Sequence, residues 1–263
     1  MEIDPGKVEV FSCRSTFACS DPARVLLSAD FCQLELCVLT HLSQDRRLLA
    51  VMNGGKDVFR GIAAKWNRID DDRLVSDELR NCTKAIVYGV VYGMGVKSMA
   101  AELHVDEDTA RTLMEQFHTT YPEIRRYTDK VIQITRERGY IETLTGRRRY
   151  LPAIQSTDLK RRAEAERQAV CTTVQGSAAD ILKNAILRMM RNLRKYHETL
   201  RLGQVDLVLH LHDELIFEVP HEHARKVAKI LKSSMENCAK LSLPLRVKVK
   251  VGPSWGELKE IQV

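Results

Sequence analysis

Two carboxylate clusters, far apart in the chain, are the residues best suited to chemistry. The first is Asp213-Glu214, inside Val208-Leu209-His210-Leu211-His212-Asp213-Glu214-Leu215-Ile216-Phe217-Glu218-Val219. Apolar, β-prone stretches flank the acids, so the segment reads as a hairpin with both at its tip. Hairpin tips favour Asn-Gly or Asp-Gly, and two acids packed between strands repel unless a cation joins them. A solvated acidic turn is the plain alternative for this segment by itself. The second cluster is Asp30 and Glu35, in Val25-Leu26-Leu27-Ser28-Ala29-Asp30-Phe31-Cys32-Gln33-Leu34-Glu35-Leu36. Val25 to Leu27 reads as a short buried strand that ends near Asp30. From Gln33 to Leu42, residues Leu34, Val38 and Leu42 recur at helical spacing. Two such strands side by side would set Asp30 and Asp213 at one edge of a sheet. Two carboxylates converging without a cluster of Cys or His ligands suit a hard ion such as Mg²⁺, and paired Mg²⁺ ions serve in-line phosphoryl or nucleotidyl transfer.

A third group lies between them. Arg80, Lys84, Tyr88 and Tyr92 recur every four residues, which on a helix drifts only about 40° per step. Arg and Lys grip phosphate oxygens, and tyrosine rings stack on a base or sugar. Gly89 and Gly93 behind the rings allow close approach. The competing interpretation is an amphipathic helix with a solvated basic end. His210-x-His212 would put two rings on one strand face, as some Zn²⁺ sites need, but no third ligand group accompanies them.

The elements that must hold these residues are strands at both ends of a helix-rich middle. Residues 45–66 read as helix interrupted at Gly54-Gly55. Ser76 or Asp77 caps a helix running through Ile86. Residues 106–138 read as one long helix that Pro122 ends or kinks and Gly139 stops. Tyr140 to Leu144 reads as a strand, and Lys160 to His197 as helix bent near Gln175-Gly176-Ser177. Leu245, Val247, Val249 and Val251 alternate in a closing strand. The expected class is α+β, a small antiparallel sheet with an inserted helical lobe. The 263 residues are 44% hydrophobic, enough for a core, and no apolar run approaches a membrane span. Lys plus Arg exceed Asp plus Glu by 41 − 35 = 6, which permits a nucleic-acid partner. Seven cysteines without a close CxxC pair suggest reduced thiols and an intracellular site.

Asp30-Phe31-Cys32-Gln33-Leu34-Glu35-Leu36, the Arg80-x3-Lys84-x3-Tyr88-Gly89-x2-Tyr92-Gly93 helix and His212-Asp213-Glu214 resemble motifs A, B and C of the family-A DNA polymerases. Gly146-Arg147-Arg148-Arg149-Tyr150-Leu151-Pro152, Glu166-Arg167-Gln168 and Gln175-Gly176-Ser177-Ala178-Ala179-Asp180 are similar too, and the wording is nearest the eukaryotic theta and nu branch. The resemblance implies a template-directed DNA polymerase with primer-template DNA and dNTPs as partners and two Mg²⁺ ions as cofactors. That substrate, with the reduced cysteines, leads to the expectation of a nuclear location, and the lack of an apolar span to that of no membrane partner. It implies that Asp30, Asp213 and the Phe31 carbonyl hold the ions with Glu214 nearby. Arg80 and Lys84 would hold the triphosphate, Lys84 also helping pyrophosphate leave. Glu35 would exclude a ribose 2′ hydroxyl, and Gln33, Tyr88 and Tyr92 would complete the nucleotide site. Arg147, Arg148, Arg149, Arg167, Gln175 and His212 would meet the DNA, Gln175 as a minor-groove reader.

On the same basis, residues 1–24 form a poorly patterned segment, 25–44 palm, 45–138 fingers with the motif B helix at about 77–93, and 139–263 palm with the motif C hairpin at 205–219. The chain departs from the family at Cys37, usually Arg, at Cys171, usually Asn, and at Phe59, often a phosphate-binding His, a contact Arg60 is the candidate to replace. Tyr88 replaces a commoner Phe. The resemblance begins near residue 14, after the position of the family's thumb. The expectation is therefore a thumbless chain of low processivity with an exposed sheet edge, the alternative being a truncated, inactive or regulatory nucleic-acid-binding fragment.

Overall fold

The computed structural model describes residues 12–54, 57–200 and 203–263, with no side-chain description for 197–200. The first eleven residues of the poorly patterned segment, and Gly55 of the expected interruption, lie outside the described residues. In chain order the elements are β1 (Arg24–Phe31), α1 (Leu34–Ser43), α2 (Arg46–Asn53), α3 (Val58–Asn67), α4 (Asp77–Val91), α5 (Val96–Leu103), α6 (Glu107–Thr120), α7 (Pro122–Arg138), β2 (Tyr140–Glu142), β3 (Arg148–Tyr150), α8 (Leu159–Cys171), α9 (Ser177–Leu200), β4 (Asp206–Leu211), β5 (Glu214–Pro220), α10 (Ala224–Glu236), β6 (Val247–Gly252) and β7 (Lys259–Glu260). The chain divides into two compact units. One comprises Met1–Cys32, Leu182–Ala239 and Leu245–Val263, and the other Gln33–Ile181 and Lys240–Pro244.

The first unit is built on an antiparallel sheet of order β4-β5-β1-β6-β7. Leu27 faces Phe217 and Val251 across the two ladders, and Ala29 faces Leu215 and Val249. Directly opposed residues share a face, and this one is apolar. It packs with α10, whose Val227, Ala228, Leu231 and Met235 are buried. The alternation of valine and lysine in β6 has the same cause, since Val247 and Val249 are buried while Lys248 is exposed. β4 ends the sheet order, with Leu207 and Val208 exposed and a register shift between Leu207 and Leu209.

Two local expectations change here. β1 runs eight residues and carries Asp30 as its penultimate position, not beyond a three-residue strand. Glu214 is not a tip residue: it opens β5 and pairs with both Leu211 and Asp30. The turn needs only His212 and Asp213, because His212 adopts the left-handed conformation, φ +53°. His tolerates this better than most non-glycine residues.

The second unit is helical. Side-chain caps start most of its helices: Asp45 on α2, Asp57 on α3, Ser76 on α4, Asp106 on α6 and Asp158 on α8. The expected long helix 106–138 is two helices, because Pro122 takes the first position of α7, where its missing N–H costs nothing. β2 ends at Glu142 instead of Leu144. The bend expected near Gln175 is a π-helical turn, Thr172–Gly176, between α8 and α9. Such turns put one extra residue into a helix and reorient the side chains they carry.

Candidate active site

In the sheet unit the carboxylates meet at one end of the sheet. Antiparallel pairing sets the last turn of β1 beside the start of β5, with Asp30 opposite Glu214. The Phe31 N–H donates to the Asp213 carbonyl at 3.3 Å, so Asp213 is tied to the same end. The Ser28 hydroxyl donates to Glu214 Oε1. Burial, then the charges of Asp213 and Glu214, push the Asp30 carboxyl up to about 6, while Lys250 and Lys248 pull the other way. Asp213 is also raised, mainly by burial. The lysines are a part of the site that the apolar pattern of β6 did not announce. Lys248 lies opposite Asp30 and Lys250 opposite Ser28, so both stand on the acidic face.

Acids that repel one another beside backbone carbonyls, with no soft ligand among them, fit a hard divalent cation. Among the described residues no three His, Cys, Asp or Glu side chains are gathered to hold an ion alone. An ion here would therefore complete its shell from carbonyls, water and substrate, as Mg²⁺ commonly does. His210 Nε2 lies 3.0 Å from the His212 carbonyl oxygen, a local contact within the hairpin. His212 itself is exposed.

In the helical unit the four-residue stripe forms as expected on α4. The Tyr88 and Tyr92 rings stack with centroids 5.9 Å apart. Tyr92 caps the helix, and its hydroxyl donates to Glu35 Oε2 at 2.8 Å. Burial and that bond raise the Tyr92 phenol, keeping it a donor. Gln33 is the left-handed N-cap of α1, two residues before Glu35. Phe59, found where a phosphate-binding His is often expected, lies buried against the stripe. Its ring centroid is 5.8 Å from that of Tyr88, 5.7 Å from the Arg80 guanidinium carbon and 5.9 Å from Lys84 Nζ. Arg60 does not join this group, because its guanidinium binds the Val75 carbonyl and Asp77. The Cys171 thiol donates to the Tyr92 carbonyl at 3.0 Å, so its polar contact goes to protein.

Arg147, Arg148 and Arg149 are exposed, yet each spends part of its guanidinium on the protein. Arg147 donates to Asp180 at 2.9 Å and to the Gly176 carbonyl at 3.1 Å. Arg148 donates to Glu142, and Arg149 to the Thr172 hydroxyl. Asp180, unassigned by sequence reasoning, also accepts from the hydroxyls of Thr143 and Thr145, both at 2.6 Å. These bonds hold its carboxyl below the ordinary range against the effect of burial. They fasten the 143–147 turn to the π-turn on which Gln175 is exposed. Arg167 is exposed beside Gly93, where a Cβ would meet its Cγ at 3.4 Å.

The paired sheet and helical lobe have the α+β architecture of a polymerase domain. They superpose with TM-score 0.86 and 33% identity on a structure titled "POL domain of Pol1 from M. smegmatis complex with DNA primer-template and dNTP", covering 92% of this chain and 42% of that one. The family model described as DNA polymerase family A matches residues 3–257, and the chain belongs to that family. It is 55% identical to DNA polymerase theta of Drosophila melanogaster over 96% of this chain and 12% of that protein. For DNA polymerase theta of Mus musculus the figures are 42%, 92% and 11%. For the thermostable DNA polymerase I of Thermus filiformis they are 39%, 90% and 27%. The chain thus spans about an eighth of the theta relatives' length. Among the described residues no helix is long and apolar enough to cross a membrane.

Proposed function

We propose that this chain is the catalytic portion of a template-directed DNA polymerase, joining the α-phosphate of a dNTP to a primer 3′ hydroxyl with release of pyrophosphate. The observation that carries this reading is the β1–β5 register, which puts Asp30 against Glu214 and ties Phe31 to Asp213. Asp30 and Asp213, with the Phe31 carbonyl, would hold two Mg²⁺ ions, and Glu214 stands beside them. Bound there, the ions acidify the 3′ hydroxyl and neutralise charge at the α-phosphate. Arg80 and Lys84 bind the triphosphate, with Lys84 also assisting the leaving pyrophosphate. Glu35, held by Tyr92, excludes a ribose 2′ hydroxyl. Gln33 and Tyr88 complete the nucleotide site, and Tyr92 stacks by the templating base.

Gln175 meets the terminal base pair, and Arg148, Arg149, Arg167 and His212 meet the duplex backbone or that pair. Arg147 does so with whatever its Asp180 and Gly176 bonds leave free. Lys248 and Lys250 add positive charge beside the acids for the primer backbone. In this reading residues 25–44 and 139–263 are palm and 45–138 fingers, and the protein works on nuclear DNA. The relatives' shared family and the DNA-bound neighbour support it. The test is Mg²⁺-dependent extension of a primed template by wild type and by Asp213→Ala. Loss of extension in the variant is expected. Undiminished extension would refute the carboxylate assignment, and a wild type that binds primed DNA without extending it would favour a regulatory fragment.

A further inference from the structure

Asp57 is a residue that neither the family motifs nor the proposed chemistry uses, yet it touches the triphosphate-binding stripe. It is the N-cap of α3, and Oδ1 accepts the Phe59 and Arg60 N–H groups at 3.0 and 3.1 Å. The other oxygen, Oδ2, accepts Arg80 Nε–H at 2.8 Å. One carboxylate therefore starts a helix with one atom and holds an arginine with the other. Arg80 Nη1 reaches Asn81 at 3.2 Å, and among the described residues Nη2 has no hydrogen-bond partner. The contact at Nε leaves the Nη1–Nη2 edge of the guanidinium as the one that can fork onto a phosphate.

We infer that Asp57 is a positioning residue, holding Arg80 in the orientation in which it receives the substrate triphosphate. The inference rests on the triphosphate role proposed for Arg80. Phe59, two residues on, restricts the same side chain from its ring face. Both restraints come from the first turn of α3, so one short segment fixes both the roll and the height of the guanidinium. A long arginine side chain loses much rotamer freedom when it binds, and fixing it beforehand moves that cost out of the binding step. Asp57 also brings a negative charge near an anionic substrate. Its helix cap and Arg80 bonds already engage that charge, so orientation outweighs repulsion.

The experiment uses the full-length chain and two variants. Asp57→Asn keeps a strong N-cap and nearly the same shape but removes the negative charge that faces Arg80. Asp57→Ser keeps the cap but is too short to reach Arg80. The readouts are dNTP affinity in the complex with a dideoxy-terminated primer-template, steady-state KM and kcat on an extendable primer, and the thermal midpoint. Both variants should weaken dNTP affinity and raise KM about three- to tenfold, with kcat within about twofold. Their midpoints should stay within about 2 °C of wild type, because the cap is retained. In an Arg80→Ala background the Asp57→Asn change should have no further effect on affinity. Unchanged or tighter dNTP binding by Asp57→Asn, where Arg80→Ala weakens it, would overturn the positioning role alone. Unchanged binding by Arg80→Ala would overturn the triphosphate reading, and this inference with it.

Discussion

Replacing Asp30 by Asn should stabilise the ion-free protein while abolishing synthesis. Burial, Asp213 and Glu214 push the Asp30 carboxyl from its ordinary 3.8 up to about 6. A rise of that size corresponds to ~3 kcal/mol against the ionised form. Asp30 is only partly buried, so solvent screening reduces this to ~1 kcal/mol. The sign follows from proton counting. Between about pH 4 and 6 the folded chain keeps a proton that the unfolded chain has released, so stability falls as pH rises through that window and levels off above it. Asn carries no charge at any of these pH values and removes both the slope and the penalty. For a chain of this size ~1 kcal/mol shifts the thermal midpoint by about 2–4 °C. Differential scanning fluorimetry in chelator, from about pH 4 to 8, should therefore show Asp30→Asn melting above wild type at neutral pH and level with it near pH 4. At about 10 mM Mg²⁺ wild type should gain ~1.4 kcal/mol if its dissociation constant is ~1 mM, and the variant little. A variant that melts below wild type in chelator at neutral pH, or keeps the wild-type pH slope, would show that the acids do not strain the sheet end.

Four further substitutions probe the site and the packing of the fold. Asp180→Ala leaves Arg147, Thr143 and Thr145 without their shared acceptor and should cost ~2–4 kcal/mol, read by chemical denaturation, with weakened primer-template binding. Tyr88→Phe restores the family's commoner ring at the proposed nucleotide site, so discrimination against dideoxynucleotides should rise at least ~10-fold in extension assays; equal termination by both proteins would count against a role for the Tyr88 phenol there. A Cβ on Gly252 would meet the Glu257 carbonyl oxygen at 2.4 Å, whereas one on Gly95 would meet nothing within 4 Å. Gly252→Ala should therefore lose ~2 kcal/mol or more of stability while Gly95→Ala, which changes only the N-cap of α5, loses ~1 kcal/mol or less, both read as thermal midpoints.

Much of this arrangement is legible in the residues because its signals are periodic. The spacing of Arg80, Lys84, Tyr88 and Tyr92 is one helix stripe, and α4 bears it out. The alternation from Leu245 to Val251 announces a strand with a buried side, and β6 supplies it. Pro122 marks a break but not its kind: the same residue kinks a helix interior or starts a new helix, and only packing decides. Glu214 reads as a tip residue because a turn of two residues requires a positive φ at His212, which the residue type alone does not announce. Asp57 and Asp180 were illegible for a different reason. Their partners Arg80 and Arg147 lie 23 and 33 residues away, and no local pattern links a carboxylate to a distant guanidinium. Lys248 and Lys250 read as the wet side of a strand until register sets Lys248 opposite Asp30.

That register leads to a prediction about acid. The sheet end carries partial compensation for its charge: Ser28 donates to Glu214, and Lys248 and Lys250 oppose the charge on Asp30. It does not carry enough to bring Asp30 down to an ordinary carboxylate. A proton and a divalent ion are therefore alternative ways of relieving the same repulsion, and they must compete for it. Synthesis should fall as pH drops through about 6, where Asp30 becomes protonated. The midpoint of that fall should not be fixed. If one proton displaces one ion, each tenfold increase in Mg²⁺ above its dissociation constant should move it about one pH unit lower. Single-turnover extension measured across pH at several Mg²⁺ concentrations reads this directly. An acid limb that stays put as Mg²⁺ rises would mean that the titrating group is not a ligand, and Asp30 would lose the role assigned to it.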